Sequence, residues 1–300
     1  MKKQTDSLVK QDTARKQKAS NQSAGALVVK RLLHSKSAML GICVIIVMIL
    51  IAIFAPYLSP YSYKGMDLGL AKALPSLAHP MGCDDMGRDI LTRLMYGGRY
   101  SISIGLLSAL FSTIIGVIIG AIAGFFGGKV DLIIMRFIDI IQSLPSILMS
   151  ILVATVLGGG FEMTVLALGI SSVPGVVRTM RASILTVRKM DYVEASVSIN
   201  CSNFRTIRKY VIPNAMAPVL CGISNNVSHG VIAAASLSYI GLGVQPPSPE
   251  WGAMLSAAKT YILSYPHMVL FPGIIIMIFV LAFNLFSDAL RDALDPKLKT

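Results

Sequence analysis

The stretch Asp191-Tyr192-Val193-Glu194-Ala195-Ser196, followed by Asn200 and then by Tyr210-Val211-Ile212-Pro213, decides the reading of this chain. It belongs to a hydrophilic, basic segment of about thirty residues set between long apolar runs. Asp191 to Asn203 can form one short helix. Phe204 to Tyr210 can form a second that stops at Pro213, because proline cannot donate into an interior turn. An amphipathic helix–turn–helix on a membrane face suits docking into a groove. In it Glu194 and Ala195 stand side by side, with the small Ser196 next, so the helix can enter closely while the carboxylate meets a basic edge. The alternative is a solvated loop that is basic only because it faces the cytosol.

Working outward, the 300 residues are 54% hydrophobic and 14% charged, with mean hydropathy +0.68. That is too apolar for a soluble domain and fits an all-α, polytopic membrane protein. A helix needs about twenty apolar residues to cross the hydrocarbon core. Six segments qualify, at about 38–56, 101–125, 134–157, 161–180, 214–241 and 267–287. Residues 1–37 make a polar N-terminal tail, 1–26 of it of disordered composition, and its apolar run starts too late for a cleaved signal peptide. The interval 57–100 reads as an outer loop with an interfacial helix, and 101–290 as a five-helix core. That core carries the polar loop 182–213 and an outer loop 243–265, and 291–300 forms the C-terminus.

The net charge of +12 does not indicate nucleic acid, since no aromatic–basic platform accompanies it. Lysines and arginines gather in the tail (Lys2, Lys3, Lys10, Arg15, Lys16, Lys18, Lys30, Arg31, Lys36) and between Arg178 and Lys209. The positive-inside rule then places both termini and the polar loop in the cytosol.

Several features carry alternative readings. Gly116, Gly120 and Gly124 share one helix face and serve either a subunit contact or helix packing inside the chain. Asn225, Asn226 and His229 interrupt the fifth span. Polar residues at that depth face a pathway or bond a neighbouring helix. Gln245-Pro246-Pro247-Ser248-Pro249 is stiff, because proline fixes φ. With Glu250 and Trp251 it can dock a delivering protein, cap a pathway, or form a turn anchored by its Trp. Asp85 with Arg88, and Asp89 with Arg93, have the spacing to lace one helix face. Asp139 with Arg136 reads as a pair at the membrane boundary.

Cys43, Cys83, Cys201 and Cys221 show no metal or CxxC spacing, and the four histidines are scattered. No phosphate-binding Gly-x-x-x-x-Gly-Lys-Ser/Thr and no Gly-x-Ser-x-Gly occur. The chain reads as a non-enzyme without a cofactor or resident metal of its own. A self-powered secondary transporter would need charged relay residues in mid-span, where this chain has almost none.

The decisive stretch closely resembles the EAA loop of ABC importer permeases, in which Glu-Ala-Ala is followed after three residues by Gly and after nine more by Ile-x-Leu-Pro. Glu194, Ala195 and Pro213 match. Ser196 replaces the second Ala, Asn200 the Gly, Tyr210 the Ile and Ile212 the Leu. Asn is the next best residue for a left-handed turn. His79-Pro80-Met81-Gly82-Cys83-Asp84-Asp85-Met86-Gly87-Arg88-Asp89 and Leu237-Ser238-Tyr239-Ile240-Gly241-Leu242-Gly243-Val244-Gln245-Pro246-Pro247 look like segments of the dipeptide, oligopeptide and nickel permeases, specifically the C-type subunit. Arg291-Asp292-Ala293-Leu294-Asp295-Pro296 fits that subunit's ending.

The resemblance covers roughly 27–299 and implies a type I ABC importer permease fold in a bacterial or archaeal inner membrane. It implies a homologous partner permease in a heterodimer, two ATPase subunits that bind the ATP, and an extracytoplasmic binding protein. Asp191, Tyr192, Glu194, Ala195, Ser196, Asn200 and Pro213 would then couple to the ATPase, with peptides as cargo and nickel or a metal chelate as the alternative. Many relatives carry an acidic residue near position 234, where this chain has Ala233, Ala234 and Ala235.

Overall fold

The computed structural model describes residues 24–294, so the tail read at 1–23 and the lysines of the last six residues lie outside the described part. Among the described residues the regular structure is helical, apart from an isolated bridge between Cys83 and Asp89. The elements are α1 (Ala24–His34), α2 (Lys36–Leu58), α3 (Ile90–Phe126), α4 (Gly128–Gln142), α5 (Ser146–Leu157), α6 (Phe161–Val187), α7 (Asp191–Ser198), α8 (Asn203–Thr206), α9 (Ile212–Ala215), α10 (Ala217–Tyr239), α11 (Trp251–Ala258) and α12 (His267–Leu294).

The central rod is α3, 37 residues long, about 55 Å at 1.5 Å per residue. It exceeds a hydrocarbon core of about 30 Å, so one end protrudes. This corrects the expectation of a separate interfacial helix before the second span: both are one helix. Asp89 caps it, its Oδ2 accepting from Thr92 N–H at 2.7 Å. Nothing breaks it before Gly127, whose φ of +67° ends the run.

Along α3 lies α6, seated in the Gly116–Gly120–Gly124 groove. A Cβ on Gly120 would stand 2.7 Å from the carbonyl oxygen of Val177 and 2.8 Å from Met180 Cβ. The glycine stripe therefore serves packing within the chain. Further up, a Cβ on Gly105 would meet Val231 and Val227 of α10. Across the bundle α2 packs on α12, where a Cβ on Gly41 would sit 2.7 Å from the Ala282 carbonyl. Arg99 ties α2 to α3 by donating to the carbonyls of Ala52 (2.6 Å) and Ile53 (2.7 Å).

Among the described residues four helices, α2, α3, α6 and α12, are long and apolar enough to cross a membrane. The expected third span is broken: α4 and α5 meet at 85° across Ser143-Leu144-Pro145. Proline disfavours the α conformation at the residue before it, and its ring cannot extend α4. The expected fifth span is the 23-residue α10. Asn225, Asn226, Ser228 and His229 in its middle leave it below the apolarity of the other four.

Candidate functional site

The loop from Asp191 to Ala215 is anchored on one face and open on the other. Val193, Val211 and Ala215 are buried with Ala121 of α3 and Val176, Met180, Ile184 and Val187 of α6. Ser196 is also buried, and its hydroxyl donates to the Val193 carbonyl at 2.7 Å. The opposite face presents Tyr192, Glu194, Ala195 and Val197 to solvent, with Asp191 at the helix start. Ile199 and Phe204 are 75% and 72% exposed, so the tip of the loop is apolar and bare.

Asn200 makes the turn in the left-handed region, φ +59°. Cys201 N–H donates to the Ser196 carbonyl (3.1 Å) and Asn200 N–H to that of Val197 (2.9 Å). This pair closes a helix C-terminus around a left-handed residue. Beyond it the chain departs from expectation. α7 ends at Ser198 rather than Asn203, and the second helix does not stop at Pro213. Residues Ile207–Val211 widen into a π turn, where Ile212 N–H donates to the Ile207 carbonyl. The shifted bonding register leaves Pro213 in the first turn of α9, where a missing N–H costs nothing. Phe204, Arg205, Arg208, Lys209 and Pro213 line a shallow basic recess of about 500 Å³ beside the tip.

A second feature is a polar cleft of about 680 Å³ in the membrane-spanning part. Asn226 and His229 reach it from α10, Ser171 and Ser172 from α6, and Gln142 and Ser146 from the α4–α5 break. Asn225 does not line it: its carbonyl accepts from Ser228, whose hydroxyl also reaches Asn284 Oδ1 at 3.2 Å. The lining carries hydroxyls and amides, and no Asp, Glu, Lys or Arg.

On the opposite side the loop after α10 divides. Gln245, Pro246 and Pro247 are exposed, whereas Glu250 and Trp251 are buried. Glu250 caps α11, its carboxyl oxygens accepting from Gly252 N–H (2.9 Å) and Ala253 N–H (2.7 Å). Oε1 also accepts from the Ser101 hydroxyl at 3.0 Å, and Ser101 Oγ accepts from Trp251 N–H at 3.1 Å. The Trp251 indole donates to the Leu94 carbonyl at 3.0 Å. These two residues join the loop to α3 and offer no surface to a visiting protein in this state.

Residues 116–300 match the family described as the binding-protein-dependent transport system inner membrane component. Residues 23–80 match the N-terminal TM domain of oligopeptide transport permease C. The chain belongs to the binding-protein-dependent transport permeases. It is 40% identical over 271 residues to the dipeptide transport system permease protein DppC of Alkalihalophilus pseudofirmus, covering 90% of this chain and 89% of that one. It is 38% identical over 272 residues to the glutathione transport system permease protein GsiD of Pectobacterium atrosepticum, covering 90% of each. A solved inward-facing structure of the MetNI methionine ABC transporter superposes with a TM-score of 0.57 at 16% identity, over 69% of this chain and 98% of that one. The architecture is the type I ABC importer permease fold, and the protein is a multi-pass inner-membrane transport permease rather than an enzyme.

In this permease several charge pairings differ from the sequence expectation. Asp139 bonds Arg178 of α6 at 2.6 Å, not Arg136. Arg181 forks onto both oxygens of Asp131 at 2.5 and 2.6 Å, a tie between α4 and α6 that no spacing within one helix could reveal. Asp89 pairs with His79 at 2.9 Å rather than Arg93, because it is a cap and lies outside the helix. Arg93 approaches Asp84 at 3.4 Å and donates to the Tyr63 carbonyl at 3.2 Å, and Arg88 bonds Asp84 at 2.6 Å. Arg88, Arg93, Asp84 and Asp89 are all buried, so they form a folded plug and not a surface lattice. Within it, burial above all, and then Asp89, Asp84 and Asp67, push the Cys83 thiol up to about 11. It remains a protonated packing group at neutral pH.

Proposed function

We propose that this permease is a channel subunit of an ATP-driven importer that takes short peptides from an extracytoplasmic binding protein into the cytosol. Its motor is a separate pair of ATPase subunits engaging the loop 191–213, and a homologous permease completes the channel. Both termini lie in the cytosol. One observation carries the coupling role: the loop buries Val193, Val211 and Ala215 in one cluster with α3 and α6, and Ser183 of α6 donates to the Ala215 carbonyl, yet it presents Tyr192, Glu194, Ala195 and the bare Ile199 and Phe204 outward. A face that is apolar, acidic at Glu194 and rigidly backed fits a groove and transmits its displacement to the spans. Asn200 and Pro213 hold the loop's shape, through the left-handed turn and the first turn of α9.

ATP binding draws the motor subunits and the docked loops together, and the attached helices open the channel outward. Release of the nucleotide products returns it inward. The polar cleft is the portion of the pathway that this subunit lines. Its amides and hydroxyls, with Asn226 and His229 among them, suit a peptide backbone of either register, because they hydrogen-bond without selecting a charge. Relatives described as dipeptide and glutathione permeases support peptides as the cargo class.

The test is ATP hydrolysis by the complex reconstituted with its partner permease and ATPases. Binding protein loaded with short peptides is compared with binding protein loaded with a nickel chelate. Stimulation by the peptide-loaded form supports the proposal. Stimulation by the chelate form alone keeps the importer and overturns the cargo. Indifference to both points to a self-powered transporter and overturns the coupling.

A further inference from the structure

We infer that α1 is a membrane-surface helix that binds the phosphates of anionic lipids through Lys30 and Lys36. The argument begins at its junction with α2. α2 has 23 residues, about 35 Å, enough to cross a hydrocarbon core of about 30 Å. Its first residue, Lys36, therefore stands at the membrane boundary. Ser35 is extended (φ −84°, ψ 118°) and its hydroxyl accepts from Ala38 N–H at 3.4 Å, so the chain breaks and restarts there. α1 ends at His34, immediately before that break. Its last turn cannot leave the headgroup layer. Arg31 Nη1 donates to the Ala293 carbonyl at 3.4 Å, which rests α1 against the end of α12.

The exposed face of α1 then specifies its surroundings. Val29 and Leu33, one turn apart, are 55% and 58% exposed. Lys30, His34 and Lys36 are exposed around them. No acidic residue occurs between positions 24 and 36. The acids on α12, against which α1 rests, are Asp288 and Asp292, and neither pairs with Lys30 or Lys36 among the described residues. Water would leave the apolar stripe uncovered, and hydrocarbon would leave the lysines unsolvated. A headgroup layer accommodates both, the stripe reaching the acyl boundary and the ammonium groups reaching phosphate. An anionic leaflet attracts such juxtamembrane lysines, by about five-fold in binding per lysine. The inference rests on the chain being a membrane permease and not on its cargo.

The test uses the whole complex in nanodiscs of phosphatidylcholine, with and without phosphatidylglycerol, and a photo-crosslinking residue in place of Leu33. Crosslinks to lipid, enriched in phosphatidylglycerol where it is present, are the expected result. Lys30→Glu combined with Lys36→Glu should remove that enrichment by five-fold or more, and Lys30→Arg with Lys36→Arg should keep it. Crosslinks to an ATPase subunit would overturn the inference and make α1 a protein-docking helix. Lipid adducts without headgroup preference, or a preference unmoved by the charge reversal, would overturn it as well. None of these outcomes depends on which cargo stimulates ATP hydrolysis.

Discussion

At Glu250 two backbone N–H groups and the Ser101 hydroxyl converge on one buried carboxyl. Glu250→Ala removes the acceptor of all three. Each donor left without a partner and shielded from water costs about 1–3 kcal/mol, and a lost helix cap falls in the same range. The variant is expected to be about 2 kcal/mol or more less stable, seen as a lower thermal unfolding midpoint in detergent. Glu250→Gln, which keeps an oxygen acceptor, should lose less, and equal midpoints for both would refute the account. The sequence marked Glu250 and Trp251 as notable but left their direction open. Their partners, Ser101 and Leu94, lie about 150 positions away, beyond the reach of any local pattern. Asn200 was legible, because a left-handed turn is intrinsic to one residue and its neighbours. Asp139 was misread for the converse reason: spacing within a helix offered Arg136, and the tertiary neighbour α6 offered Arg178.

At the scale of the element, the glycine face of α3 was legible as a packing surface, while its partner α6 was not. Gly120→Leu places a branched side chain where the Val177 carbonyl and Met180 Cβ leave no room. Backbone cannot swing aside as a side-chain tip can, so the helices must separate. Overpacking of this kind costs about 1–3 kcal/mol. Faster loss of the folded fraction on heating in detergent is expected, while Gly222→Leu, at a helical site with open space around it, serves as a control for bulk alone. The break between α4 and α5 was missed because residues 134–157 hold enough apolar residues for a span despite Arg136, Asp139 and Gln142 near the start. Pro145 was the available signal, and apolar length outweighed it. Pro213 erred the other way: the sequence read it as a stop, and the π turn of Ile207–Val211 carries the chain through it.

For the whole molecule, the loop 191–215 sits far along the chain from the outer loop, yet both lead to α3: Ser183 of α6 donates to the Ala215 carbonyl at 2.8 Å and α6 packs along the glycine face of α3, while Glu250 of the outer loop accepts from Ser101 of α3. A push on the loop is therefore delivered to the rod that also holds the outer loop. Glu194→Lys inverts the charge of an exposed residue and disturbs no buried contact. The variant chain should insert and assemble at normal levels, while peptide uptake falls at least ten-fold and hydrolysis loses its response to loaded binding protein. Normal uptake would remove Glu194 from the coupling surface. The 85° break has a consequence of another kind. At about 1.5 Å per residue α4 and α5 span roughly 22 and 18 Å, so neither crosses the bilayer alone. Ser143, Leu144 and Pro145 are exposed, the last two on the polar cleft, and lipid cannot hydrogen-bond a backbone that leaves its helix. Non-helical backbone at that depth is tolerated only against protein or water, so this segment cannot be a lipid-facing surface of the subunit.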